Sequence, residues 1–339
     1  MIEDFPHSPA YFKSFRQIFL YKMTFRKLFV YIYNSQLHIP VLNNLAMLKK
    51  ISKIFLPVCF ISFFVACNNS SSPAKETVAT TADSTTHVLP DWTLGIQTYS
   101  FHVFPFVTAV KKADSAGIKF IEAYPGELLK PGSKVTFGID LSAADRKLVK
   151  QLMDSLGIKF SAFGVVTPKT PGEWKQTFEF AKDMNIPLIT ASPMKDQWDT
   201  INTMAGQYNI KVAIHDEKKG TPYWHPDSVL AAIANRPNLG VCADIGHWGR
   251  SGMDAVENLK KLQGRILGLH LKDIVTIGID SKDTIMGTGK TNISGVLAEL
   301  KRQNFKGVIA MEYESNEYDN MKDILANKLY FDNALKQLQ

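Results

Sequence analysis

Cysteine is scarce. Cys59, Cys67 and Cys242 are the whole complement, with no CxxC pair and no Cys/His ladder, so neither a disulfide framework nor a structural zinc ribbon is indicated. Any GxGxxG or P-loop after the first strand-like run is also missing, and with it the phosphate cradle of a nucleotide-binding doubly wound sheet. A basic footprint is missing too, although the net charge is +7. Of the 39 Lys and Arg residues, eight fall within residues 1–66 against only Glu3 and Asp4, leaving 31 basic and 30 acidic residues downstream. The body is nearly neutral, which argues against nucleic acid as a partner.

What is present is ordinary globular material, 45% hydrophobic and 21% charged over 339 residues, enough for one large domain or two small ones. The N-terminal part divides by composition. Met47 to Lys53 is a basic stretch, Ile54 to Ala66 an almost unbroken apolar run, and Cys67 is followed by Asn68-Asn69-Ser70-Ser71-Ser72-Pro73. Charge, a short apolar core and a small residue before the boundary make a secretory signal, and the run is short for a membrane span. Phe64-Val65-Ala66-Cys67 resembles a bacterial lipobox with Phe where Leu is usual, which implies cleavage before Cys67, lipid on its sulfur and attachment to a membrane. The alternative is an uncleaved anchor helix. The expected organisation is therefore a 1–46 extension upstream of a true start at Met47, a signal peptide over 47–66, a lipidated Cys67 with a Ser/Thr/Ala-rich tether through 91, and a catalytic body over 92–339 outside the cytoplasm, periplasmic or on the cell envelope.

From Trp92 onward strand-like and helix-like stretches alternate. Strands are predicted at 94–100, 119–124, 159–165, 188–192, 211–215, 239–243, 265–271 and 307–313. Helices are predicted at 107–116, 143–156, 174–184, 197–207, 226–234, 255–262, 293–302 and 321–339. Gly117, Gly157 and Asn185 each stand between a helix and the next strand, as C-terminal stops do. Eight such units imply parallel pairing and a single closed (β/α)8 TIM barrel, with an open doubly wound sheet as the alternative.

A barrel gathers its chemistry at the C-terminal ends of its strands. Those ends carry Tyr99 on the first strand, Glu122 on the second, His215 on the fifth, Asp244 and His247 on the sixth, His270, Lys272 and Asp273 on the seventh, and Glu312 and Glu314 on the eighth. In Asp244-Ile245-Gly246-His247, Gly246 is expected to break the strand and open a loop. Any one of these groups has an ordinary explanation as a cap or a core residue. Together they make a convergent divalent-metal site the better reading, because burying several ionisable groups in one mouth is costly without a compensating cation.

The segments Ala213-Ile214-His215, Cys242 to Trp248, Leu269-His270-Leu271-Lys272-Asp273 and Met311-Glu312-Tyr313-Glu314 resemble the sugar phosphate isomerase/epimerase family of xylose-isomerase-like barrels, over about residues 92–339. The resemblance implies one divalent metal held by His215, Asp244, His270 and Glu312, with His247 facing the substrate and Glu122 as a further polar contact. It also marks a departure, since epimerases of this kind commonly carry Glu where this chain has His215. A mixed nitrogen and oxygen set suits manganese first, with zinc, cobalt, iron or nickel as alternatives. Glu312 is the expected base in an enediolate reaction on a sugar or keto sugar, with His247 or Lys272 holding or protonating an oxygen. Trp224, Trp248 and Tyr99 are expected to line the substrate, a small carbohydrate. Elimination from a 3-keto-glycoside and non-catalytic carbohydrate binding are the competing readings.

Overall fold

The computed structural model describes residues 92–338. The extension, signal peptide, tether and Cys67 expected above lie outside the described residues. Among the described residues no helix is long and apolar enough to cross a membrane.

The barrel strands are β1 (Leu94–Gln97), β2 (Phe120–Ala123), β3 (Lys159–Val166), β4 (Leu188–Ala191), β5 (Lys211–His215), β6 (Leu239–Asp244), β7 (Ile266–Leu271) and β10 (Val308–Met311). They close in the order β1-β10-β7-β6-β5-β4-β3-β2, every pair parallel. The closed barrel is therefore established over the open sheet. The helices between strands are α1 (Phe106–Ser115), α2 (Ala143–Leu156), α3 (Pro171–Asp183), α4 (Trp198–Tyr208), α5 (Pro226–Ile233), α6 (Ile245–Arg250), α7 (Ala255–Lys261) and α8 (Ile293–Arg302), with α9 (Met321–Gln337) closing the chain.

Local chemistry sets the boundaries. Ser142, Thr170 and Asp254 each accept a backbone N–H three residues on, capping α2, α3 and α7, and Pro171 opens α3 three residues before its expected start at Trp174. At the other ends Gly117, Gly157 and Asn185 adopt φ of 70°, 62° and 56°, the left-handed turn that returns the chain to the next strand.

Two departures from expectation reshape the mouth. The first strand stops at Gln97, and Thr98–Phe101 coils into a 3-10 turn held by Tyr99 N–H donating to Gln97 Oε1. The sixth strand opens not into a loop but straight into α6, with Gly246 inside that helix. Gly246 is there for space: a Cβ at this position would come within 2.2 Å of Lys272 Cγ.

Beyond β7 lies a small antiparallel pair, β8 (Asp273–Ile274) and β9 (Asp283–Thr284). Asp273 organises it. Its carboxylate accepts the backbone N–H groups of Ile274, Gly287, Gly289 and Thr291, each at 2.9 Å. This acid is structural, and the sequence gives no sign of partners so far downstream.

Glu127, in the connection after β2, is buried with neither carboxyl oxygen hydrogen-bonded. Burial, weakly offset by the Thr98 hydroxyl, pushes it up to about 9 from 4.5. The folded protein thus retains a proton there that the unfolded chain releases above 4.5, so Glu127 subtracts stability progressively as pH rises from 4.5 towards 9. Glu127→Gln should leave stability unchanged at pH 4 and raise it by about 4 to 5 kcal/mol at pH 8. Urea titrations at the two pH values test this, and an equal effect at both would refute it.

Candidate active site

Strand register delivers the site. Asp244 pairs with His270 across β6 and β7, His270 with Ala310 on β10, and His215 with Cys242 on β6, so the upper ends of four neighbouring strands meet. The residues they carry are buried: His215, Asp244, His270, Lys272 and Glu312 are all under 8% exposed.

At the centre, His215 Nε2 lies 3.1 Å from His270 Nδ1. Asp244 Oδ2 lies 3.5 Å from His215 Nε2 and 3.6 Å from His270 Nδ1, and Glu312 Oε2 lies 3.2 Å from that same Nδ1. The other face of His270 is fixed, its Nε2 standing 2.9 Å from Glu122 Oε2. Glu122 thus pins Nε2 and orients Nδ1 towards the cluster, where it could serve as a ligand once a cation displaced its proton. The Glu122 Oε2 lies behind an imidazole as an orienting carboxylate oxygen, while Oε1 is buried without a hydrogen-bond partner.

Lys272 threads into the cluster across Gly246. Its Nζ is 2.7 Å from Glu312 Oε2, 2.9 Å from Glu314 Oε1 and 3.1 Å from Asp244 Oδ2. Burial alone would pull the ammonium down, but Asp244, Glu312 and Glu314 hold it well above the ordinary lysine range. In the same way burial pushes Glu312 and Asp244 up and is overridden, for Glu312 by Lys272 and His270, and for Asp244 by His247 and Lys272. Both stay ionised. His247, the least buried member, is pushed down to about 4 by burial and is neutral at ordinary pH. Its side chain sits beside the cluster, Nε2 3.8 Å from Asp244 Oδ2, while its backbone N–H caps α6 on Asp244 Oδ1 at 2.8 Å. Asp244 is thus both a helix cap and a member of the cluster.

The residues fit a divalent cation. Potential ligand atoms of His215, Asp244 and His270 all lie within 4.8 Å of one another, and Asp244 Oδ2, buried, makes no aligned hydrogen bond, its nearest cation being the Lys272 ammonium shared with Glu312 and Glu314. Two imidazole nitrogens and two carboxylates form a set suited to a first-row transition metal. Cys242 also approaches His270, but burial pushes its thiol up to about 12, so it packs as a neutral small residue.

The aromatic expectations divide. Tyr99 is half-buried in the 3-10 turn, its ring stacked on His102 and edge-on to Tyr124. Trp248 is a correction: it is fully buried in α6, its indole beside the buried Asp216, and presents no face to a substrate. Trp224 stays in the loop after β5, edge-on to His225 with the Lys219 ammonium over it. Its neighbour Tyr223 is core, donating its hydroxyl to Pro193 O at 2.6 Å and accepting from Trp198 Nε1 at 2.8 Å.

A closed parallel barrel with buried acids and imidazoles gathered at four adjacent strand ends meets its counterpart among known proteins. The model of the xylose isomerase-like TIM barrel family matches residues 110–331. The chain belongs to that family. Among solved structures, an uncharacterized protein from Parabacteroides distasonis is 34% identical, with a TM-score of 0.60 over 72% of this chain and 99% of that one. The structure of the IolI protein with a zinc atom shares the fold at 18% identity, with a TM-score of 0.61 over 73% of this chain and 99% of that one. An inosose isomerase of Halalkalibacterium halodurans is 23% identical over 43% of this chain and 60% of its own length. The chain spans about half the length of the curated relatives it matches, 42% of one and 60% of the other.

In this xylose isomerase-like barrel, Glu122→Gln should weaken metal binding by about 10- to 100-fold while the fold persists, since it loosens the orientation of His270 without removing a ligand. Metal titration against a competing chelator measures it, and unchanged affinity would remove Glu122 from the site.

Proposed function

We propose that this chain is a divalent-metal-dependent isomerase or epimerase acting on a non-phosphorylated sugar or keto sugar, with manganese the first candidate. The observation that carries the reading is the buried convergence of His215, Asp244, His270 and Glu312 around one point, with Glu122 orienting His270 from behind. The inosose isomerase relative and the zinc in the IolI structure support it.

His215, Asp244, His270 and Glu312 would hold the ion, and when bound it would polarise a carbonyl and make the adjacent C–H more acidic. The chain's own groups supply the rest. Glu312, kept ionised by Lys272, takes the proton from the carbon beside the carbonyl. Lys272 and the neutral His247 hold the oxygen on which negative charge develops. Burial of the cluster excludes water from the reacting centre. A cell-envelope location, proposed from Phe64-Val65-Ala66-Cys67, favours sugars without phosphate; membrane fractionation of a Cys67→Ala variant tests it, and undiminished association would refute the anchor.

One observation favours a second reading. The fifth strand contributes His215, whose Nε2 points into the ligand set, so it is an imidazole and not a second carboxylate that flanks the centre. Epimerisation uses a proton-transfer group on each face, whereas isomerisation or elimination from a 3-keto-glycoside needs one base. Incubation of the metal-loaded protein with free sugars and 3-keto-glycosides in deuterated water separates the readings by NMR. Deuterium beside the carbonyl with the skeleton intact supports isomerase or epimerase action, and release of the aglycone supports elimination. Neither outcome, together with no bound metal after reconstitution, would overturn both.

A further inference from the structure

A cleft of about 790 Å³ opens beside the cluster. Its walls come from the C-terminal end of α6 (Arg250), the β8–β9 segment (Ser281 to Asp283) and the connection from β10 to α9 (Glu314 to Asp319). All three follow barrel strands at their C-terminal ends, so the cleft opens on the same face as the cluster. Glu314 joins the two: it lines the cleft, and its Oε1 is 2.9 Å from Lys272 Nζ, which is itself 2.7 Å from Glu312.

We propose that this cleft is a second carbohydrate subsite, which takes the neutral, hydroxyl-rich unit attached to the sugar that reacts, so that the substrate is a disaccharide or glycoside and not a single sugar or a sugar phosphate. The proposal rests on the carbohydrate reading above and extends it. Size is the first argument, because the volume lies in the range that encloses a drug-sized ligand, well beyond what one sugar ring needs next to its reacting carbon. Charge is the second. Arg250 is committed to Asp283 and Glu314 to Lys272, leaving Glu317, Asp319 and Asp323 against Lys282 and Lys322, a wall with no excess of cations for a phosphate. Rigidity is the third. Glu314 N–H donates to Asp283 Oδ2 at 2.8 Å, Ser315 Oγ to Asp283 O at 2.9 Å and Asn316 Nδ2 to Asp323 Oδ2 at 2.7 Å, so the wall is tied down before any ligand arrives. On that wall Tyr318 stands 78% exposed, an aromatic face with nothing packed over it, of the kind on which a sugar ring stacks.

Calorimetric titration of the manganese-loaded protein with glucose, glucose 6-phosphate, maltose, cellobiose and trehalose is the test. At least one disaccharide should bind about tenfold or more tightly than glucose, and glucose 6-phosphate should show no gain. Tyr318→Ala combined with Asp319→Ala should erase the disaccharide advantage, while Tyr318→Phe retains it. Measurable glucose binding without any disaccharide advantage, an advantage that survives the double substitution, or tighter binding of glucose 6-phosphate would each overturn the subsite and leave the carbohydrate reading standing. No binding of any sugar would overturn that reading, and the subsite with it.

Discussion

Asp244→Asn should yield a folded protein that retains no divalent metal after dialysis and has lost at least about 10⁴-fold in turnover, equivalent to about 5.5 kcal/mol of transition-state stabilisation. The substitution is chosen because Asp244 has two jobs on two oxygens. Oδ1 caps α6 by accepting the His247 N–H, and an asparagine oxygen accepts it equally well. Oδ2 faces His215, His270 and Lys272, and there the variant presents an uncharged amide to two imidazoles and an ammonium. The cap survives and the ligand does not. Elemental analysis of the purified variant, with circular dichroism to confirm the fold, reads the two jobs separately. Metal retained at the parent's stoichiometry would show that Asp244 is a helix cap alone, and the assignment of the centre would fail with it.

How far the sequence carried this site depends on the kind of signal. The barrel strands were legible because each is a short apolar run, and several follow a helix stopped by a residue that tolerates a left-handed turn, as Gly117, Gly157 and Asn185 do before β2, β3 and β4. The clustering was legible because chemistry at a barrel mouth comes from strand ends, and His215, Asp244, His270 and Glu312 lie at or next to strand ends. The misreadings arose where a side chain's direction, not its position, decides its role. Trp248 sits four residues past a strand that turns directly into a helix, so its indole points back into the packed layer. Tyr223, beside Trp224 in the same loop, is core because Pro193 and Trp198 close on its hydroxyl from other parts of the chain, which its neighbours in sequence do not show. For Glu122 the sequence shows that an acid reaches the mouth but not that its Oε2 faces His270. Gly246 was taken for a strand breaker, whereas its reason is the stem of a lysine from the next strand.

That lysine carries the other large effect. Lys272→Met keeps a stem that passes over Gly246 and deletes the charge shared by Asp244, Glu312 and Glu314. In the metal-free protein the loss should be about 3 to 5 kcal/mol of stability, because buried carboxylates are left without their cation. The pH dependence should also change sign. In the parent, Asp244 and Glu312 are held below their ordinary 3.8 and 4.5, so their contribution is present above that range and lost as pH falls through it. The raised Lys272 contributes below 10.5 and loses that contribution as pH climbs through its folded value, so the joint contribution of these three groups to parent stability is level between about pH 5 and 10, with Glu127 setting a slope of its own elsewhere. In the variant the carboxylates repel one another in a buried site and gain by protonation, so stability should rise as pH falls from 7 to 5. A divalent ion would supply the missing charge, so added manganese should raise the melting temperature of the variant by more than that of the parent. Thermal melts with and without chelator, at pH 5 and pH 7, measure all of this. A metal-free variant as stable as the parent, with the same pH profile, would mean that Lys272 does not balance the charge of the cluster and that the carboxylates are compensated by the imidazoles alone.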